Sequence, residues 1–151
     1  MKEIGIGQIA SVMGRYYAMD RDNNYDRVKL AYDALTKGEG ETAPSGPEGI
    51  QQSYDKGDTD EFVKPTVVVE GGAPIATIKD KDSIVFFNFR PDRAREITRS
   101  FCDDDFKGFE RGKRLDTTFV CFSDYDPTIP NKEIAFPKVS VTNTFGEWLS
   151  A

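Results

Sequence analysis

Apolar positions along the chain follow two periods, one typical of strands and the other of helices. Runs of β-branched and aromatic residues predict strands over residues 4–14, 67–69, 75–78, 83–89 and 117–122. Apolar residues three and four positions apart predict helices over about 25–37, 47–54 and 94–101, with a short last helix over 145–149. Turn-forming or charged residues without periodicity predict loops over 38–46 and 103–113. This alternation predicts one α/β domain, with three α/β/α layers and a mostly parallel or mixed sheet.

Three details of the pattern predict where elements lie. Residues 67–69 and 75–78 flank a glycine-rich turn, which predicts a hairpin. Residues 4–14 and 83–89 are apolar on both faces, which predicts buried strands and places 83–89 in the centre of the sheet. The two cysteines, Cys102 and Cys121, lie among apolar and acidic neighbours, which predicts reduced, mostly buried thiols.

The amino-acid composition excludes several kinds of catalytic site, metal site and partner. The 151 residues include no histidine, which excludes Ser-His-Asp and Cys-His arrangements within the chain, and two cysteines are too few for a zinc site of the Cys and His kind. The net charge of −6 argues against nucleic acid as the main partner. No apolar run approaches the roughly 20 residues of a membrane span, and no secretory signal opens the sequence. We therefore expect a soluble cytoplasmic protein without a nucleic-acid or membrane partner.

Two arginine-bearing loops are the candidate site, because each follows a predicted buried strand. Arg15 and Arg21 lie in GRYYAMDRD, and Arg90 and Arg93 lie in FFNFRPDRAR. Ligands of open α/β sheets bind at the carboxyl ends of strands, and guanidinium groups suit carboxylate and phosphate. Converging arginines would therefore select a small phosphorylated acid. Pairing of these arginines with neighbouring aspartates is an equally good interpretation of the spacing.

Other conspicuous residues have structural interpretations. Arg95 and Arg99 are four positions apart on a helix, where we expect them to face solvent. We expect Tyr16 and Tyr17 to pack beneath the sheet rather than to line a pocket. The acidic run at residues 103–105 is more typical of a solvated loop than of a cation site.

Longer motifs resemble a known family. The segments GRYYAMDRDNNYDRVKLAYDAL, DEFVKPTVV, DSIVFFNFRPDRAREITRSF and NTFGEWLS are similar to the cofactor-independent (2,3-bisphosphoglycerate-independent) phosphoglycerate mutases. They are collinear and spread over nearly the whole chain. The resemblance implies the later part of the inserted transferase, or substrate-binding, domain over residues 1–142. Residues 143–151 would then begin the linker that returns to an alkaline-phosphatase-like domain.

The resemblance also implies an activity and a site. Enzymes of this family move phosphate from O3 of 3-phosphoglycerate to a serine and then to O2, using two divalent metal ions, manganese or magnesium. Arg15 and Arg21 match the family's substrate-binding arginines in GRYYAMDRD, and Arg90 and Arg93 match those in RPDR. Asp92 would orient these arginines.

The chain departs from the family in what it does not contain. The serine nucleophile, the Asp and His metal ligands and the Asp-Gly-Arg-Asp segment all lie in other regions of the family's enzymes. Asn24 and Tyr25 stand where the family more often has Arg and Trp. We expect a fragment of a glycolytic enzyme, inactive alone, with no catalytic residue and no metal ligand. Its partners would be the phosphoglycerates and the missing phosphatase-like domain. Two alternatives stay open: a small-anion binding module without catalysis, and an interaction protein that uses an open sheet edge.

Overall fold

Two sheets, one mixed and one parallel, carry the strands of the computed structural model, which describes residues 3–150. In the mixed sheet the order is β1 (Ser11–Val12), β3 (Thr66–Glu70) and β2 (Glu41–Ala43), and β4 (Ala73–Pro74) pairs with β3. β2 runs parallel to β3, and β1 and β4 run antiparallel to it. The parallel sheet has the order β5 (Ser83–Phe86), β6 (Thr118–Ser123) and β7 (Glu133–Phe136). The predicted α/β class is confirmed, with the strands divided between two sheets.

The described part of the chain also contains five α-helices and one short 3-10 helix. They are α1 (Arg15–Ala18), α2 (Tyr25–Lys37), α3 (Gly46–Asp55), the 3-10 helix (Asp60–Phe62), α4 (Arg95–Cys102) and α5 (Phe145–Ser150). Within residues 3–150, no helix combines the length and the apolar character that crossing a membrane requires.

The predicted helices are confirmed, because their start and stop signals are local. Helix α2 ends where predicted, and Gly38 follows it in the left-handed conformation at φ 70°. The side chain of Ser45 accepts a hydrogen bond from the Glu48 N–H at 3.4 Å, and Pro47 lies in the first turn of α3.

The main core lies where α2 and α4 pack against β6. Tyr32 of α2 meets Phe101 of α4 with ring centroids 4.9 Å apart, and Phe101 meets Phe119 of β6 at 5.7 Å. Both cysteines are buried free thiols in this cluster, as predicted. Burial in this way removes apolar surface from water and fixes α4 against the sheet.

Two strand predictions are wrong in their extent or place. Of residues 4–14, only Ser11–Val12 form a strand, because Gly5 and Gly7 have φ of 75° and 86°, outside the strand region. β5 lies at the edge of its sheet, not in the centre, and stops at Phe86. Its outer face is uncovered within residues 3–150, and Phe87 beyond it is 76% exposed.

Three smaller predictions also need correction. Residues 38–46 were expected to be a loop but include β2, whose three residues are held by parallel pairing with β3. The β3–β4 hairpin forms as predicted, but its second strand is Ala73–Pro74 and does not extend over 75–78. β7 was not predicted, and its four residues are all exposed. β2 and β7 each depend on parallel pairing with a strand outside their own segment, which local sequence does not show.

Candidate functional site

The two arginine loops meet at the start of α4. The first loop, residues 19–24, joins α1 to α2, and the second, residues 87–94, joins β5 to α4. Arg93 of the second loop donates from Nη1 to the Met19 carbonyl at 3.0 Å. Arg21 of the first loop donates from Nη1 to Asp92 Oδ2, also at 3.0 Å. Two hydrogen bonds in opposite directions therefore join the loops.

Asp92 holds two guanidinium groups at one point. Arg90 donates to it through Nε at 3.2 Å and through Nη2 at 2.9 Å, while Arg21 approaches the same Oδ2. The hydrogen bonds from Arg90, and to a smaller degree the one from Arg21, lower the pKa of Asp92 below its ordinary value. The carboxylate is thus ionised at neutral pH, and the three side chains carry a net charge of about +1.

This cluster is open to ligands. The Arg21 side chain is 45% exposed and that of Arg90 is 62% exposed. Each guanidinium has five N–H donors and spends only part of them on Asp92. Pairing with aspartate is therefore confirmed for Arg21 and Arg90. Binding of a carboxylate or phosphate by their remaining donors stays a prediction, which the exposure of both side chains favours.

The side chain of Arg15 pairs with the 3-10 helix and not with Asp92, which holds Arg21 and Arg90. It is the first residue of α1, and its Nε donates to Glu61 Oε2 at 2.6 Å. Arg93 also spends its described side-chain hydrogen bond on a backbone carbonyl. The structure thus brings Arg21, Arg90, Arg93 and Asp92 together and turns Arg15 toward the 3-10 helix.

A buried aspartate shapes the first loop. Asp20 is 4% exposed and accepts hydrogen bonds from the backbone N–H groups of Asp22 at 3.0 Å and Asn24 at 2.9 Å. Its Oδ1 also accepts from Arg27 Nη1 at 3.3 Å. Burial alone would raise the pKa of Asp20, but the backbone N–H groups of Asn24 and Asp22 and the side chains of Asn24 and Glu96 together lower it below its ordinary value. Asp20 is therefore an ionised acceptor around which the loop folds.

Glu96 supports the same loop from α4. It is 5% exposed, and its Oε1 accepts from the Asn23 backbone N–H at 2.9 Å. Burial raises the pKa of Glu96 to about 7, and the neighbouring Asp20 carboxylate contributes. Sequence reasoning missed both carboxylates. The Asp-x-Asp-x-Asn spacing, typical of side-chain-capped turns, was the available signal for Asp20, whereas no comparable spacing marks Glu96.

The other singled-out residues have structural contacts. Arg99 does not face solvent as expected: it donates to Asp103 at 3.1 Å and to Asp126 at 2.9 Å. Arg95 is exposed, yet its Nε donates to the Tyr125 carbonyl at 2.8 Å. These hydrogen bonds connect α4 to the segments that follow it in the chain.

The two tyrosines and the acidic run also have packing or ion-pair roles. The Tyr16 ring packs on Phe62 with centroids 5.3 Å apart and lies 3.9 Å beneath the Arg27 guanidinium, while Tyr17 packs against the core. Each aspartate of the run pairs with a cation: Asp103 with Arg99, Asp104 with Arg114 and Asp105 with Lys107.

The described residues do not fit a two-metal centre. Across residues 3–150, no three or more His, Cys, Asp or Glu side chains are grouped so that they could hold a metal ion. The buried pair Asp20 and Glu96 has only two members, and its oxygens accept from backbone N–H groups. The exposed guanidinium groups of Arg21 and Arg90 could instead bind an anion.

Comparisons with known proteins define the family. Residues 1–127 match the family described as BPG-independent PGAM N-terminus (iPGM_N). The match covers most of the chain, which therefore belongs to this family. Among curated relatives, the 2,3-bisphosphoglycerate-independent phosphoglycerate mutase of Lachnoclostridium phytofermentans is 64% identical over 99% of this chain. The protein of the same name from Clostridium perfringens is 58% identical over 100% of it.

A solved structure agrees with the fold. The structure titled "Crystal structures of Leishmania mexicana phosphoglycerate mutase at low cobalt concentration" matches 99% of this chain with a TM-score of 0.80 and 30% identity. The match covers 28% of that chain, and this chain spans 29% of the length of each of the two curated relatives.

Proposed function

We propose that this chain is the later part of the substrate-binding domain of a 2,3-bisphosphoglycerate-independent phosphoglycerate mutase. The whole enzyme would interconvert 3-phosphoglycerate and 2-phosphoglycerate, and this chain would hold the substrate without performing the transfer. Arg15, Arg21, Arg90 and Arg93 are the proposed substrate contacts, with Asp92 orienting Arg21 and Arg90. The observation that carries the proposal is the position of these two guanidinium groups on one carboxylate.

The chemistry of a phosphoglycerate suits this arrangement. It carries a carboxylate at one end and a phosphate at the other, and the planar donor fork of arginine recognises both. Two guanidinium groups fixed by one aspartate present donors in a set geometry, so that less side-chain freedom is lost on binding. Arg15, at the end of α1 nearer the 3-10 helix, would reach the ligand by leaving Glu61, with which it forms an exposed ion pair.

We assign the domain limits in the same proposal. Residues 1–142 would form the substrate-binding unit, and 143–151 the start of a linker to the phosphatase-like part. Helix α5 supports this, because it buries none of its residues and every residue from 137 to 150 is exposed. The nucleophile and two divalent metal ions, manganese or magnesium, would belong to that other part of the enzyme.

A large apolar cavity supports the assignment to the later part of a domain. It has a volume of about 830 Å³ and is lined by residues of both sheets, among them Val12 and Phe86. The open outer face of β5 adjoins it through Val85 and Phe87. Earlier segments of the same domain would supply the side chains that cover these surfaces.

Titration calorimetry with 3-phosphoglycerate tests the substrate site. We expect measurable binding by the chain and a loss of about tenfold in Arg90→Ala, since a charge-assisted hydrogen bond contributes roughly 1.5–3 kcal/mol. Arg114→Ala is the matched control, because Arg114 pairs with Asp104 on the loop after α4. Equal affinities of Arg90→Ala and the unmodified chain would remove Arg90 from the site.

A coupled assay tests the proposal that this chain does not perform the phosphate transfer by itself. With 3-phosphoglycerate and manganese present, we expect no formation of 2-phosphoglycerate by this chain alone. Metal-stimulated conversion by the purified chain would overturn the proposal.

A second candidate function rests on the open edge of β5. Val85 of β5 is exposed, as are Phe87 and Phe89 just beyond it, and an unpaired apolar edge strand is a template for association with another chain. An interaction protein of this kind would dimerise with rising concentration, and Phe87→Ser would abolish the dimer. Sedimentation that shows a monomer at every concentration would dismiss this candidate.

A further inference from the structure

Glu96 joins α4 to the loop that carries Arg21. Its Oε1 accepts the Asn23 backbone N–H at 2.9 Å. Asn23 lies at φ 61°, the left-handed region that asparagine tolerates better than most residues, so the loop has an unusual backbone at this point. The other oxygen, Oε2, is buried and meets no hydrogen-bond donor within residues 3–150.

The Asp20 carboxylate is a neighbour of Glu96 and helps to raise its pKa. Two ionised carboxylates side by side offer no proton to share. Both side chains are at least 95% buried, where a second negative charge at close range is costly. One of the two groups therefore holds a proton.

Their hydrogen-bond partners decide which group that is. Asp20 accepts from the N–H groups of Asp22 and Asn24, from the Asn24 side chain and from Arg27, all of which favour a charged acceptor. Among the described residues Glu96 accepts one hydrogen bond, from Asn23. The proton thus belongs on Glu96, and Oε2 is the oxygen that accepts no N–H group within the described residues.

We propose that Glu96 is a positioning residue: in its neutral form it donates from Oε2 to Asp20, accepts from Asn23 at Oε1, and so fixes the loop that carries Arg21. This proposal rests on the proposed function only where it concerns anion binding by Arg21. The fixing of the loop by a neutral glutamate stands without it.

The neutral form makes the loop sensitive to pH near neutrality. Loss of the proton places two negative charges side by side, which weakens the contact between Glu96 and Asp20 and releases the loop. Burial sets the pKa of Glu96 at about 7. The titratable groups that act on Glu96 are Asp20 and Asp22 of the loop, and Tyr25 of α2 feels its charge. Beyond them, Arg27 of α2 pairs with Asp20, and Arg99 of α4 acts on Tyr25.

Two of these neighbours keep one charge state across the relevant range. Burial raises the pKa of Tyr25 above its ordinary value of 10.0, so this phenol stays neutral, while the donors around Asp20 keep it ionised. Arginine remains protonated throughout. Glu96 is thus the group of this set that we expect to change charge between pH 6 and 8.

The first experiment needs no ligand. The amide ¹H–¹⁵N shift of Asn23 is followed from pH 5 to pH 9 in the unmodified chain, in Glu96→Gln and in the control Glu70→Gln, an exposed glutamate at the end of β3. We expect an inflection near pH 7 in the unmodified chain and the control. Glu96→Gln should show none, since a neutral amide can still donate to Asp20 and accept from Asn23. The same inflection in Glu96→Gln overturns the proposal.

A second measurement does not depend on a substitution. The ¹³C shift of the Glu96 side-chain carboxyl in the unmodified chain should titrate with a midpoint near pH 7. A midpoint below about pH 5, the range of an ordinary glutamate, overturns the proposal whatever the fate of the variant.

The third experiment adds 3-phosphoglycerate. Its affinity for the unmodified chain is divided by its affinity for Glu96→Gln at pH 6 and at pH 8, so that titration of the ligand itself cancels. We expect a ratio near one at pH 6 that falls at pH 8 by up to about tenfold, the limit for one proton per pH unit above the midpoint. An unchanged ratio overturns the link to the anion site. Absence of any binding, together with the Asn23 inflection, refutes the proposed function while the positioning role stands.

Discussion

Arg93 donates from Nη1 to the backbone carbonyl of Met19 at 3.0 Å, across 74 positions of sequence. This bond ties the start of α4 to the loop that follows α1. Because Arg21 lies two residues beyond Met19, the bond helps to place Arg21 against Asp92. Arg93, which matches a substrate-binding arginine of the family in sequence, thus also holds the two loops of the candidate site together.

We expect Arg93→Lys to lower both the stability of the chain and its affinity for 3-phosphoglycerate. Lysine keeps the charge but presents a point charge in place of a planar fork, so the hydrogen bond to Met19 is lost or poorly aligned. Loss of one such bond should lower the free energy of unfolding by about 1 kcal/mol, measured by urea denaturation. The affinity for 3-phosphoglycerate, measured by calorimetry, should fall with it.

Arg95→Lys is the matched control for this change. Arg95 also donates to a backbone carbonyl, that of Tyr125 at 2.8 Å, but it lies on the helix beyond the loop junction. It should lose similar stability and keep its affinity. If Arg93→Lys keeps full affinity too, Arg93 has no part in the anion site.

Local signals made part of this structure predictable. The helix over 25–37 was predicted to the residue, because an apolar face and a terminal glycine mark it within one segment. The edge position of β5 was not, since apolar residues on both faces reveal hydrophobicity without revealing what covers each face. The sequence also pointed to both arginine loops. That they share Asp92 depends on packing between segments some 70 residues apart, which spacing cannot show.

Glu96 shows why the site was only partly predictable. An acidic residue in the first turn of a helix is ordinarily exposed and favoured there by the helix dipole. Here its burial follows from a loop of distant sequence that folds over it and supplies the Asn23 N–H. Neither the loop's path nor the second carboxylate beneath it is encoded near position 96.

Gly14→Ala should disrupt the close packing of Gly14, the residue before α1, against the 3-10 helix. A Cβ on Gly14 would lie 2.1 Å from the Glu61 carbonyl oxygen, which is backbone and cannot move aside cheaply. The Gly14 N–H also donates to the Val63 carbonyl at 2.7 Å, so the two segments are held together. We expect a loss of about 1–3 kcal/mol in urea denaturation, the usual cost of overpacking.

Gly146→Ala provides the comparison for that measurement. The nearest atom to its Cβ would be 3.9 Å away, within the exposed helix α5. This variant should be neutral or slightly more stable, because alanine favours helix. Equal stability of the Gly14 and Gly146 variants would mean that the 14–61 contact adjusts without cost.

Both thiols should be inert in the folded chain. Burial raises the pKa of Cys102 to about 12 and that of Cys121 to about 11, so the reactive thiolate is scarce at neutral pH. We expect no labelling by a thiol reagent at pH 8 within the time that labels the chain fully in guanidinium chloride. Rapid labelling of one thiol per chain under native conditions would contradict the burial of that cysteine.

Stability should fall between about pH 5 and pH 7 through Glu96. Its pKa in the folded chain is about 7, above the ordinary value of 4.5, so the folded state binds more protons than the unfolded state in this window. The free energy of unfolding therefore decreases as pH rises, by at most about 1.4 kcal/mol per pH unit for one group. The lowered pKa values of Asp20 and Asp92 affect stability only below the ordinary aspartate value of 3.8, outside the window.

Urea denaturation at pH 5 and pH 7 measures this difference directly. The unmodified chain and the control Glu70→Gln should both lose stability between the two pH values, whereas Glu96→Gln should lose less, because its amide does not titrate. Above about pH 7.5 the variant should be the more stable protein, since it keeps a neutral donor beside Asp20. If the unmodified chain and Glu96→Gln lose stability in parallel, the buried proton does not reside on Glu96.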